Sequence, residues 1–598
     1  MSGKPDWVVS IPSPPVTNIA QTLDPQAHRA TNSDRLDRWL PWILAAGAIC
    51  VLFYQLGAAA LFEPDEGRNA EKAREILLLS DWLTPHENFH PVLDKPIFFY
   101  WLIALSYKLF GICEWAARLP SALAALGCVA LVYFFARAHW GKAQALWSGL
   151  ILLTCVEFFL LARLVIFDMA LTFFLTLALC AFYGASHSDD VNRRRMLCFL
   201  MFGALGAATL IKGLIGFVVP GMVLFCYLSL TKQWSILRRI YLVPGALLFL
   251  AIVLPWYLQV GARHEGYLRY YFWDEHFGRF TSAEFDRSKP WYYFIAVSLI
   301  GFFPWTLLWP FVVSGLRRRA CDDKTLFLLL WAGLPVLFFS ASRSKLPHYI
   351  LPIFPALAML TASRLMTTFN QSAQRAQAIL SLTWIAYGGV VLYFLIGYWQ
   401  PAILPKAIVL GVIGMTRYLW CYGVLILFLP LLLSFRKISR HLQSQPRRYL
   451  AQASVMILFL VFSAQVMIAA STVRSAKGLG DKALPLIRPE TQVVFYDTYY
   501  AGMGFYLRSE KPIWVITQGD RKRTFLGNYY ALGKRAPPYT RWGKALFHGD
   551  EFGDRWRATK QPLLILVKEK NRRRLEEQVG QATRMLASVD DYVVLTTQ

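Results

Sequence analysis

The chain has 598 residues, is 56% hydrophobic and 17% charged, and carries a formal net charge of +25. A soluble chain of this length divides into several domains of ordinary composition; here apolar stretches of about twenty residues, the length that crosses a bilayer, recur instead. The positive charge does not point to nucleic acid, because it gathers in short loops between apolar runs: Arg193–Arg195; Lys232, Arg238 and Arg239; Arg317–Arg319; and Arg436, Lys437, Arg440, Arg447 and Arg448. That is the positive-inside pattern of a multi-span membrane protein.

Residues 1–38 are polar and Pro-rich ("GKPDWVVSIPSPPVTN") and read as a disordered cytoplasmic arm with no cleavable signal. A first span at 39–62 carries the chain out, and 63–116 form an outer loop. Within it, 96–111 is short and contains Lys108, and a crossing there would put the Arg193–Arg195 cluster outside. It is therefore expected to lie in the interface. Crossings follow at 117–136, 143–162, 167–185, 196–212, 213–231, 240–259, 291–314, 325–341, 347–364, 377–398, 415–434 and 449–470, thirteen with the first. The loop 260–290 falls outside. Residues 471–598 change composition: "TQVVFYDTYYAGMGFYL", "KPIWVIT" and "PLLILVKEKNRRRLEEQ" read as short strands alternating with helices, a small α/β domain beyond the membrane. The expected fold is thus a polytopic α-helical membrane protein of about thirteen transmembrane helices with a small α/β C-terminal domain outside. Nine cysteines lie mostly in apolar runs, none in a CxxC pair and none after residue 470, so neither a disulfide framework nor a zinc cluster is supported.

Parity sorts the polar residues by side. The stretch "LFEPDEGRNAEKARE" (61–75) places Asp65 and Glu66 at an outer membrane exit. Asp94 and Lys95, Asp168, Lys212, the loop "YYFWDEHFGRF", and the turn "SRSKLPHYILP" with Arg343, Lys345, His348 and Tyr349 also fall outside. Ionisable groups at membrane depth are costly and mark function, so these turns suggest one polar cavity open outward. Each has a plainer reading. Asp65 can cap the helix that follows, Glu71 and Arg74 can be a solvated helix face, Asp168 can pair with Arg163, Lys212 can snorkel to head groups, and His276 can be structural. Arg343 and Lys345 oppose the positive-inside bias, so an anionic partner is the better reading for them. A carboxylate can take a proton from an attacking hydroxyl, cations can hold a departing phosphate, and a carboxylate–histidine group can hold a divalent ion.

The "EPDEGRNAEKAREILLLSDWLTP" segment resembles the first outer loop of GT-C membrane glycosyltransferases. More closely, the chain resembles the group holding the protein O-mannosyltransferases and the 4-amino-4-deoxy-L-arabinose (Ara4N) lipid A transferase. The shared segments are Asp65–Arg68, Lys95–Pro96, Lys212–Gly213, Glu275–Phe280 and Ser344–Leu351, in that order. The resemblance covers 39–470 and makes this the catalytic region. It implies transfer of a sugar from a polyprenyl (undecaprenyl) phosphate donor on the periplasmic face of a bacterial inner membrane, with Ara4N to lipid A as the leading case. By the resemblance Asp65 is the principal catalytic carboxylate, with Glu66 and Asp168 beside it. Arg68, Lys95, Lys212, Arg279, Arg343, Lys345 and Tyr349 handle the donor, and Asp94, Asp274, Glu275 and His276 match a possible divalent metal position. The chain departs from the arabinose enzymes at Asn69, where they carry Tyr, and at Val92 and Asp94, where they carry Tyr and Glu. Transfer to protein or another envelope glycan stays open, as does a transporter or flippase of lipid-linked sugars; the latter is disfavoured because the ionisable set lies on one face.

Overall fold

The computed structural model describes residues 25–278, 289–310, 312–313, 322–371, 373–399, 445–518, 545–580 and 583–596. Helix α1 runs Pro25–Phe53. It begins inside the stretch expected as a disordered arm and stops short of Phe62. Residues 54–64 are irregular, and two arginines meet their carbonyls. Arg163 donates to the oxygens of Val51, Leu52, Tyr54 and Gln55. Arg118 donates to those of Leu56, Ala59 and Ala60. Irregular backbone near a bilayer is tolerated where protein groups satisfy it in this way.

The first outer loop folds as α2 (Asp65–Leu79), a hairpin of β1 (His86–Glu87) and β2 (His90–Pro91), and α3 (Phe98–Phe110). The two central hairpin residues, Asn88 and Phe89, have φ of 53° and 66°, as a type I′ turn requires. The next helices are α4 (Glu114–Trp140), α5 (Lys142–Leu153), α6 (Val156–Ala162), α7 (Phe167–Ser186), α8 (Val191–Lys212), α9 (Ile215–Thr231), the short α10 (Ile236–Arg239) and α11 (Leu242–Arg263). Later come Tyr293–Gly301, Asp323–Ala341, Phe354–Gln371, Ala373–Trp399 and Gln445–Val473. Among the described residues seven helices are long and apolar enough to cross a membrane, or eight when α5 and α6, bent by 67°, count as one broken span.

Two expected spans differ from straight helices. The 143–162 stretch breaks at Thr154, whose hydroxyl donates to the Leu150 carbonyl, a local bond that competes with the helical ladder. The 291–314 stretch stops at Gly301 and resumes as a 3₁₀ turn at Trp305–Leu308. Pro304 has no N–H to continue the ladder, and the Phe303 carbonyl accepts the Val156 amide of α6 instead. The expected span 415–434 lies outside the described residues.

The C-terminal part is a six-stranded sheet of order β5-β4-β3-β6-β8-β7. Its strands are β3 (Gln492–Tyr496), β4 (Trp514–Thr517), β5 (Leu546–His548), β6 (Leu563–Lys568), β7 (Arg584–Val589) and β8 (Tyr592–Thr596). The first four pair in parallel, and β8 and β7 are antiparallel. Residues alternate between faces, as pleating dictates. Phe495, Val515 and Leu566 join the core shared with the membrane helices. Val494, Ile516 and Ile565 pack with Phe552, Trp556 and Leu575 of the covering helices. The chain winds from β3 out to β5 and then crosses to β6, so the connections leaving β3 and β6 diverge.

Candidate active site

Asp65 and Glu66 are adjacent in sequence and unlike in setting. Asp65 opens α2 with its side chain 66% exposed, 3.9 Å from Arg68 Nη1; the N-cap position is Pro64, so Asp65 is not the cap. Glu66 is buried. It takes two bonds from Arg118 (2.9 and 2.8 Å) and accepts the amides of Val165 (2.8 Å) and Phe62 (3.0 Å). Consecutive helical side chains diverge by about 100°, so one carboxylate faces the surface while its neighbour pins α2 to α4. Asn69 extends that tie, its amide donating to the Val165 carbonyl at 2.8 Å.

Behind Asp65 lies a buried ion network. Lys72 sits 2.8 Å from Asp94 and 3.7 Å from Glu87, with the Tyr100 ring 5.6 Å away. Arg68 Nε is 3.5 Å from Glu87. Burial raises the Asp94 carboxyl, but Lys72, Lys95 and Arg68 together outweigh it and leave it well below the usual carboxylate range. Lys95 donates to the Asp94 carbonyl at 3.1 Å. With its charge met by an ammonium group, Asp94 is a poor fit to a metal. Among the described residues no three His, Cys, Asp or Glu side chains stand together to hold one. Asp274 lies on the Tyr270–Gly278 π-helix. The side chains of Glu275 and His276, and Arg279 entirely, lie outside the described residues.

A second cluster forms where two helix ends meet a turn. Asp168 stands in the first turn of α7 and Lys212 ends α8; the two are ion-paired. His348 Nε2 lies 3.7 Å from the other Asp168 oxygen, and the Tyr349 ring centroid is 4.5 Å from Lys212 Nζ. Arg163 is not the partner of Asp168, because it is turned to the carbonyls at the end of α1. Just before this turn Lys345 is buried, which lowers its pKa from the usual lysine value, and donates to the Lys289 carbonyl at 2.9 Å. Arg343 is exposed. The Phe167 ring packs tilted against Phe99 (4.9 Å) and edge-on to Tyr100 (5.3 Å) of α3. The segment 165–168 therefore touches both clusters.

The α/β domain closes over the first loop. Glu63 accepts the amides of Ala501 (3.0 Å) and Gly502 (2.7 Å). Burial pushes its carboxyl up to about 8, with the Gly502 amide and Arg68 pulling the other way. Glu71 and Arg74, expected on a solvated face, are buried as an ion pair (2.8 Å), and Arg74 donates to the Ser509 carbonyl at 2.7 Å. That face of α2 is covered by a domain more than 400 residues away in the chain. Asn88 makes two 2.8 Å bonds to the Ile513 backbone, and the Leu61 amide donates to the Tyr506 hydroxyl at 2.8 Å. Sequence reasoning missed Glu63, Lys72, Glu87 and Arg118. Arg118 carried a readable signal, an arginine just inside an apolar span. The other three have no counterpart in local pattern.

The dolichyl-phosphate-mannose-protein mannosyltransferase family model matches residues 94–258. A relative from Aeromonas salmonicida (strain A449), named undecaprenyl phosphate-alpha-4-amino-4-deoxy-L-arabinose arabinosyl transferase, is 34% identical over 334 residues, 54% of this chain and 60% of the relative. One of the same name from Pseudomonas aeruginosa (strain UCBPP-PA14) is 33% identical over 360 residues, 58% of this chain and 64% of the relative. The chain thus spans less than two thirds of the length of these curated relatives. The crystal structure of ArnT from Cupriavidus metallidurans bound to undecaprenyl phosphate superposes with a TM-score of 0.76 at 26% identity, covering 93% of this chain and 97% of that one.

Proposed function

We propose that this chain, an ArnT-like member of the GT-C membrane glycosyltransferases, moves a sugar from undecaprenyl phosphate to an acceptor on the periplasmic face of a bacterial inner membrane. The sugar is aminoarabinose and the acceptor lipid A. The observation that carries the reading is that Asp65 is left exposed beside Arg68, while the neighbouring acids Glu66, Glu71 and Asp94 are held by Arg118, Arg74 and Lys72. The likeness to a structure bound to undecaprenyl phosphate supports the choice of donor. In this proposal thirteen spans make up 39–470, 1–38 stays inside, and 471–598 lies in the periplasm.

An acceptor phosphate oxygen attacks the anomeric carbon, the bond from that carbon to the donor phosphate breaks, and undecaprenyl phosphate leaves. A phosphate acceptor is already ionised, so Asp65 takes no proton. It orients the attack and faces the ammonium-bearing sugar, with Glu66 fixing its backbone. Lys345, Arg343, Tyr349, Lys95, Arg68 and Arg279 receive the leaving phosphate, and Lys212, held by Asp168, completes the pocket. An ammonium group has three donors, and Lys289 engages one of those on Lys345. Charge-assisted bonds to phosphate contribute roughly 1.5–3 kcal/mol each, so Lys345→Ala should weaken undecaprenyl phosphate binding about ten- to a hundredfold. Titration of purified protein measures this; equal affinities for wild type and variant would remove Lys345 from the site.

A further inference from the structure

The connection leaving β3 carries Ala501 and Gly502, between the end of the strand at Tyr496 and a short helix that starts at Met503. Here a carboxyl group from the first outer loop meets the β3 connection. Glu63 takes both amides, at 3.0 and 2.7 Å. In the first turn of α2, Gly67 rests on Gly502: a Cβ placed there would lie 2.8 Å from the Gly502 Cα and N. Between Glu63 and Gly67 stands Asp65, preceded by Pro64 at φ −90°. The exposed carboxylate is therefore flanked on both sides by contacts to one dipeptide of the α/β domain.

We propose that Glu63 is a positioning residue by which the α/β domain fixes the first turn of α2, and so holds Asp65 in register with the donor. This deepens the transferase reading and rests on it. Glu63 touches no substrate in this scheme; its effect passes through the backbone of Pro64 and Asp65. Other contacts dock the domain without bearing on that turn. Lys477 pairs with Glu114 of α4 at 2.7 Å, and Arg508 donates to the Ile112 carbonyl at 2.9 Å.

The test uses full-length protein in lipid nanodiscs with undecaprenyl-phosphate-linked Ara4N and lipid A. In Glu63→Ala, hydrogen exchange of the 499–507 backbone should rise. Turnover should fall about tenfold or more, since a misplacement near 1 Å can cost up to about 10²-fold. KM for the donor and affinity for undecaprenyl phosphate should stay at wild-type values. Glu63→Gln keeps one acceptor oxygen, so it should recover part of the turnover; it is also the variant to read if the alanine protein does not fold. Lys477→Ala should leave turnover unchanged. The inference is overturned if exchange at 499–507 does not change, if it rises with turnover intact, or if Lys477→Ala lowers turnover as much as Glu63→Ala. Wild-type protein that transfers nothing refutes the donor–acceptor reading instead, and the exchange difference then still stands for the contact itself.

Discussion

At the scale of single residues, the contrast between Asp65 and Glu66 separates chemistry from structure. Asp65→Asn removes a charge from an exposed side chain. It should leave the unfolding midpoint unchanged while cutting turnover by about ten- to a hundredfold, the scale of a lost orienting or electrostatic contact at the reacting centre. Glu66→Ala strands the Arg118 guanidinium in a buried site; breaking a buried pair by deleting one partner costs about 3–5 kcal/mol. That variant should lose folded yield and thermal stability first. Parallel measurements of turnover and thermal unfolding check both, and a destabilised Asp65→Asn with normal turnover would reverse the assignment. The sequence made both carboxylates conspicuous but did not say which is exposed. That depends on Arg118 and Val165, which reach Glu66 from other elements.

At the scale of elements, the α8–α9 hairpin shows how backbone proximity places a side chain. Gly213 turns the chain at φ +75°, directly after Lys212. Gly216 then packs on α8 so closely that a Cβ would lie 2.5 Å from the Ala208 carbonyl carbon and 2.7 Å from its oxygen. Backbone cannot yield as a flexible side chain can, so Gly216→Ala should cost about 1–3 kcal/mol through overpacking and displace Lys212 from Asp168. Reduced thermal stability with weakened undecaprenyl phosphate binding is the expected pair of results. Gly221→Ala, whose Cβ would meet open space, should change neither. A stable, tight-binding Gly216→Ala would show that Lys212 tolerates movement of its turn. Elements of this kind were legible where length and apolar content agree, as for α4, α7, α8 and α11. They were not legible at Thr154 and Phe303, where a side-chain bond and a proline redirect the ladder inside an otherwise continuous apolar run.

At the scale of the whole molecule, charge parity sets the orientation. Asp189 lies between α7 and α8 and is exposed, on the side expected to face the cytoplasm; Glu265 and Glu510 are exposed and expected outside. Single cysteines at these positions in a cysteine-free background should react with an impermeant thiol reagent on intact cells at 265 and 510, and not at 189. The reverse would overturn the thirteen-span proposal. The clamp on the first loop also sets a schedule of assembly. Glu63 is 439 residues ahead of Gly502, and Asn88 is 425 ahead of Ile513. At about 5–20 residues per second of synthesis, the loop bearing Asp65 emerges roughly 20–90 s before its partner surface exists. Through that interval the Ala501, Gly502, Ser509 and Ile513 backbone groups that Glu63, Arg74 and Asn88 meet do not yet exist, and a chain that stalls before residue 500 leaves, in the proposed topology, an outer loop that is not locked. Under the proposed function, completion of the last domain would therefore double as the moment the turn bearing Asp65 is set, so that unfinished chains in the membrane would stay inert toward a lipid-linked sugar.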